Sequence, residues 1–168
     1  MELSVSQYIQ QQLTEREANN ALRKLNTNSH LIDFCSNDYL GFAKEKSIHR
    51  LKDDLKQYGA TGSRLLSGNH TLTEETESYL AKFYKSSSAL LFNSGYTANL
   101  GFFATVPQRG DTVIYDELIH ASIRDGIRLG NAQSFSFKHN NVKELENKIL
   151  KAKGRVFVVV ESIYSMDG

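Results

Sequence analysis

The chain has 168 residues, 40% of them hydrophobic, with 20 Lys and Arg against 19 Asp and Glu for a net charge of +1. That length can bury a sizeable core, and the mixed charges supply no electrostatic footprint for nucleic acid. No apolar run reaches the roughly 20 residues that span a bilayer, no signal-peptide pattern opens the chain, and one cysteine, Cys35, excludes an internal disulfide. The expectation is a soluble, cytoplasmic protein without nucleic-acid or membrane partners. His30, His49, His70 and His139 lack metal-ligand spacing such as HxxxH, so no metal is expected.

Val5, Tyr8, Ile9, Leu13, Ala18, Ala21, Leu22 and Leu25 recur at helical spacing and predict an amphipathic N-terminal helix. Such a helix could cover a neighbouring domain or a second subunit. A short strand is predicted over 32–36, a helix over 46–58 and a loop with three glycines over 59–69. Thr71 and Glu74 have capping-box spacing, which predicts a helix over about 72–84. From residue 88 the pattern turns regular: strand 89–92, helix 96–105, strand 112–115, helix 121–129, strand 134–137, helix 142–152, strand 155–160. The last strand, VFVVV, is apolar without alternation, as in a parallel sheet covered by helices on both faces. The fold class is therefore α/β, a parallel-rich sheet sandwiched by helices. The expected division is 1–44, a helix and short strand, and 45–168, the α/β domain.

Three strings fall at carboxyl ends of predicted strands, where open α/β sheets bind ligands. In SGYTAN, Gly95 lets the backbone come close, and free amides at a helix start favour an anion such as phosphate. An ordinary tight turn would look the same. In DELIHAS, His120 begins a helix; a neutral imidazole there could stack on an aromatic ligand or serve only as a structural residue. In ESIYSMDG, Glu161 ends an apolar strand and would be costly if ionised and unpaired, while Ser165 lies on the loop beyond. The loop YGATGSRLLSGNH adds Arg64, one cation on a glycine-rich backbone. Neither GxGxxG nor a Walker lysine is present, so nucleotide binding has little support.

Taken together, SNDYLGF (36–42), TGSRLLSGNH (61–70), LLFNSGYTANLG (90–101), RGDTVIYDELIHASIRDG (109–126), FKHNN (137–141) and ESIYSMDG (161–168) resemble the α-oxoamine synthases. These are pyridoxal-phosphate (PLP) enzymes of the aspartate-aminotransferase fold, fold type I. The strings run in family order from about residue 33 onward. The resemblance implies a truncated large domain of that fold with an N-terminal helical segment. His120 is then the candidate catalytic residue, stacked on the pyridine ring. Ser94, Gly95 and Tyr96 would form the phosphate end, Ser165 would bind the phenolic oxygen, and Glu161 would lie near the cofactor. Asn37 and Arg64 would be substrate-binding, with the Arg64 loop facing the partner subunit of a homodimer. The match is strongest to the biotin-pathway branch, which implies decarboxylative condensation of L-alanine with a pimeloyl thioester, either pimeloyl-CoA or a pimeloyl carrier protein. Branches using glycine or serine are the alternative, and a non-catalytic short partner protein is another.

The family's aspartate under the pyridine nitrogen, its Schiff-base lysine and its carboxylate-binding arginine come after the ESIYSMDG segment. Lys85, Lys138 and Lys153 do not stand in the family's Ser/Thr-x-x-Lys context. The sequence is therefore expected to be the N-terminal portion of such an enzyme, inactive as given.

Overall fold

The computed structural model describes residues 4–23, 25, 32, 34, 36–44 and 59–166. The chain divides into two units, 1–58 and 59–168. In the first, Ser4 and Gln7 form a reciprocal capping box, with Ser4 Oγ accepting from Gln7 N and Gln7 Oε1 accepting from Ser4 N at 2.9 Å. They start helix α1 (Val5–Ala18). The helix ends seven residues before the predicted limit at Leu25. Asn20 takes a left-handed φ of 52°, and its amide and that of Ala21 turn back to Glu17 O and Arg16 O, a Schellman stop. A single 3₁₀ turn follows at Phe42–Lys44, tied by Ala43 N to Asp38 Oδ2 at 3.1 Å. The predicted helix over 46–58 and Cys35 lie outside the described residues, as does part of the predicted strand over 32–36.

The second unit runs α2 (Thr71–Phe83), α3 (Gly95–Thr105), β1 (Thr112–Asp116), α4 (Ala121–Leu129), β2 (Gln133–Phe137), α5 (Val142–Lys151) and β3 (Val156–Val159). The three strands are parallel in the order β2-β1-β3. Ile114 faces Phe135 on one side and Val158 on the other. At the amino ends, Asp111 fixes the register of β1 against β3 by accepting from the Arg155 amide, Nε and guanidinium at 3.2, 3.1 and 2.8 Å.

Central β1 is closed on both faces, with Val113 1% and Ile114 0% exposed. On one face Val113 and Val159 pack with Ile119, Ile123, Ile127 and Tyr164. Ile123 and Ile127 are four apart on α4 and share one stripe. The helices α3 and α4 touch closely because Gly126 has no side chain: a Cβ there would lie 2.9–3.0 Å from Phe103 Cβ, Asn99 O and Leu100 Cα.

Three expectations need correction. Residues 89–92 form no strand among the described residues; the Leu91 amide donates to Glu77 Oε1 at 2.7 Å instead of to a neighbouring strand. Thr71 does not cap α2. His70 occupies the N-cap position without a side-chain bond, and the Glu74 carboxylate accepts from Asn69 Nδ2 at 2.7 Å. Finally, helices do not cover both faces of β3, since Val156 and Val158 are exposed while Val159 is buried. Among the described residues, β3 lies at the edge of the sheet, with β1 beside it.

Candidate active site

The strand order reverses at β1, and such a reversal opens a crevice between the carboxyl ends of the two strands that flank it, here β1 and β3. The loop leaving β1 carries His120 and the loop leaving β3 carries Glu161. They are joined directly: the His120 amide donates to Glu161 Oε2 at 2.7 Å. Glu161 at the end of an apolar strand thus has a partner, and its carboxylate bridges the two loops.

His120 is the N-cap of α4, and its imidazole does the capping. Ser122 N lies 3.2 Å from Nδ1, and Ser122 Oγ lies 2.7 Å from it. A backbone amide can only donate, so Nδ1 accepts and the proton of the neutral ring sits on Nε2. Ser122 is fully buried and is held from α3 by Asn99 Nδ2 at 3.0 Å. The near nitrogen is therefore occupied by Ser122.

α3 brings its own amino end to the same place. The Tyr96 ring meets the His120 ring edge to face, with centroids 6.2 Å apart at 81°. Ser94 caps α3 by accepting from Thr97 N at 3.1 Å. That satisfies the third amide of the helix and leaves those of Gly95 and Tyr96 without partners among the described residues. Space in front of Gly95 is open, since a Cβ built there would meet nothing within 4 Å. The Tyr96 hydroxyl donates to Asp125 Oδ2 on α4. That bond, helped by desolvation and the Asp125 charge, raises the phenol's pKa above its ordinary 10.0.

The other predicted residues are placed less directly. Ser165 is exposed in the turn after β3 and makes no hydrogen bond to either ring. Asn37 is exposed in the first unit, beside the Asp38-anchored 3₁₀ turn. Arg64 is engaged within its own unit. It grips Glu77 with two bonds, at 2.6 and 3.0 Å, and gives Nε and a second nitrogen to Asn69 Oδ1 at 3.0 and 2.8 Å.

Sequence reasoning missed a second cluster at the carboxyl ends, Asp116, His139 and Tyr164. Asp116 is 1% exposed and accepts from His139 Nδ1, Leu118 N and Asn140 N. Burial pushes its pKa up, but these three bonds outweigh burial and the net shift is downward. The His139 ring stands edge-on to Tyr164 at 4.7 Å. The available signal was a strand ending in an acid, YDE, one strand away from FKHNN.

The aminotransferase class I and II family model matches residues 29–168. The chain belongs to that family. An 8-amino-7-oxononanoate synthase of Emericella nidulans is 39% identical over 95% of this chain and 43% of its own. The solved 8-amino-7-oxononanoate synthase of Francisella tularensis superposes with a TM-score of 0.66 at 31% identity, over 84% of this chain and 40% of that one. A serine palmitoyltransferase of S. paucimobilis, solved with PLP and myriocin, gives a TM-score of 0.62 at 34% identity, over 79% and 33% of the two chains. The chain thus spans less than half the length of these relatives. Aminotransferase class I and II proteins of this fold are PLP-dependent. The residues at hand fit that cofactor: two amides without partners among the described residues, beside open space at Gly95, suit its phosphate, and an imidazole anchored through Nδ1 suits its ring.

Proposed function

We propose that these residues form the phosphate- and ring-holding part of a PLP-dependent synthase of the biotin-pathway type. The whole enzyme would condense L-alanine with a pimeloyl thioester, as a CoA ester or on a carrier protein, and release carbon dioxide. It would act as a homodimer. The observation that carries this reading is the pair of amides, Gly95 and Tyr96, without partners among the described residues, at a helix start whose Tyr96 ring meets His120 edge to face. The names of the Emericella and Francisella relatives support the substrate assignment.

PLP, when bound, supplies an electron-poor ring that takes up the electron pair left by removal of an α-proton. The chain's own residues hold and aim that ring. Gly95 and Tyr96 would donate to the phosphate, and Ser94 caps the turn that carries them. His120 would lie against the ring, its backbone held by Glu161 and its imidazole by Ser122. In this reading Ser165 supplies a hydroxyl to the phenolic oxygen and Asn37 contacts the amino-acid carboxylate. Arg64, held by Glu77, would contact substrate from its glycine-rich loop. The Schiff-base lysine of the resemblance is not among these 168 residues, so by themselves they should not turn over.

The test is titration of PLP into the protein, followed by absorbance. Saturable binding that inorganic phosphate displaces, weakened about tenfold in His120→Ala (about 1.4 kcal/mol), supports the reading. Binding that phosphate leaves untouched refutes the assignment of Gly95 and Tyr96. Serine as the amino acid is the second reading, favoured by the serine palmitoyltransferase likeness. Comparing L-alanine, glycine and L-serine as ligands of the PLP-loaded protein separates the two.

A further inference from the structure

The three loops at the carboxyl ends of β1, β2 and β3 are linked in a closed circuit. Asp116, the last residue of β1, accepts from His139 Nδ1 on the loop after β2, at 3.0 and 3.1 Å to its two oxygens. The other ring nitrogen of His139 lies 2.9 Å from Asn140 Nδ2, so both edges of that imidazole are occupied. Its flank stands at 85° to Tyr164 on the loop after β3, with ring centroids 4.7 Å apart. Tyr164 is buried, and its hydroxyl accepts from the Glu161 amide at 3.3 Å. Glu161 Oε2 accepts in turn from the His120 amide, four residues after Asp116. Each link joins a different pair of groups; the β2 loop also holds Glu117, through the His139 amide and Lys138 Nζ, but only the route through Tyr164 and Glu161 ends, among the described residues, on the His120 amide itself.

We propose that His139 is a positioning residue for His120. It locks Tyr164 against the end of β1, Tyr164 holds the Glu161 backbone, and Glu161 sets where the His120 amide, and with it the imidazole, can sit. The inference deepens the reading of His120 as the ring-facing group and assigns its placement to a residue that touches neither it nor a ligand. His139 is suited to this because one ring gives both a directed N–H toward a buried carboxylate and a flat face edge for an aromatic neighbour. Neither Asn nor Phe offers both. Asn at this place retains an N–H for Asp116 and loses the ring; Phe does the reverse.

The experiment is amide hydrogen exchange on the 15N-labelled, cofactor-free protein, comparing the parent with His139→Asn and Tyr164→Phe. The expected result is exchange of the His120 and Glu161 amides at least tenfold faster in both variants, with Ile114 in β1 unchanged. A change at Ile114 of the same size would show a general loss of stability and overturn the proposal. So would an unchanged His120 amide in either folded variant. Tyr164→Phe removes a single oxygen and decides the matter alone if His139→Asn does not fold. Exchange is read without PLP, so failure of the cofactor reading leaves this outcome standing, and failure here leaves PLP binding standing.

Discussion

Glu77 holds the guanidinium of Arg64 at 2.6 and 3.0 Å and, with the first of the same two oxygens, accepts the amide of Leu91 at 2.7 Å. One carboxylate thereby fastens the glycine-rich loop over 61–69 to α2 and to the segment that leads into the Ser94 turn. Arg64→Lys is not a conservative change here, because an ammonium cannot reproduce a two-point grip and the Asn69 contacts. The expected outcome is faster proteolytic nicking within 59–69 at unchanged secondary structure, measured by limited trypsin and chymotrypsin digestion beside circular dichroism.

The same carboxylate makes the protein sensitive to acid. Bonds from Arg64, then from the Leu91 amide, bring Glu77 from 4.5 down to about 2. Bonds from Arg155 and the Gln108 amide bring Asp111 from 3.8 to about 2. Folded-state values below the unfolded ones mean that stability is fully present above about pH 4.5 and is lost as the pH falls toward 2. Urea midpoints measured from pH 7 to pH 2 should show Glu77→Gln and Asp111→Asn less stable than the parent at neutral pH. The gap should narrow through that window. A constant gap would contradict the assignment.

Gly126 is where α3 and α4 come closest. The atoms that a Cβ would strike include the Asn99 carbonyl oxygen and the Leu100 Cα, which are backbone and cannot swing aside. Gly126→Ala gains helix propensity, but overpacking should dominate, for a net loss of about 1–3 kcal/mol. A thermal melt should show the lower midpoint. Because Asn99 also holds Ser122, the His120 ring should shift in the same variant, visible in its imidazole resonances.

Ser94→Ala removes the acceptor for Thr97 N and should cost about 1 kcal/mol of α3 stability. Ser94→Asp keeps an N-cap acceptor and adds a negative charge beside the amides assigned to phosphate. It should retain the melting temperature while losing PLP affinity, which calorimetric titration would separate from the Ala effect.

Much of the second unit was legible because its apolar periodicity switches cleanly between strand and helix. α4 was placed to the residue, and the ends of β1, β2 and β3 moved by at most one position. The segment 89–92 has strand composition, yet pairing depends on a neighbour that composition does not reveal, and Glu77 took the Leu91 amide. The turn at Gly95 and the cap at His120 could be read from strand-then-helix order. The task of Glu161 could not, because its partner is a backbone amide 41 positions away. Arg64 read as a free cation for the same reason: its acceptor lies 13 positions on, inside α2. His139 was set aside on metal spacing, a criterion blind to a histidine whose partner is a buried aspartate from another strand.

The outer rims of β2 and β3 bear on how this protein will behave in the tube. Each rim presents backbone donors and acceptors with no strand beside them among the described residues, flanked by exposed Phe135 or by Val156 and Val158. A foreign segment laid along either rim would gain main-chain bonds and apolar cover in one step. Recovery after dilution from denaturant should therefore worsen with protein concentration well before it worsens with temperature.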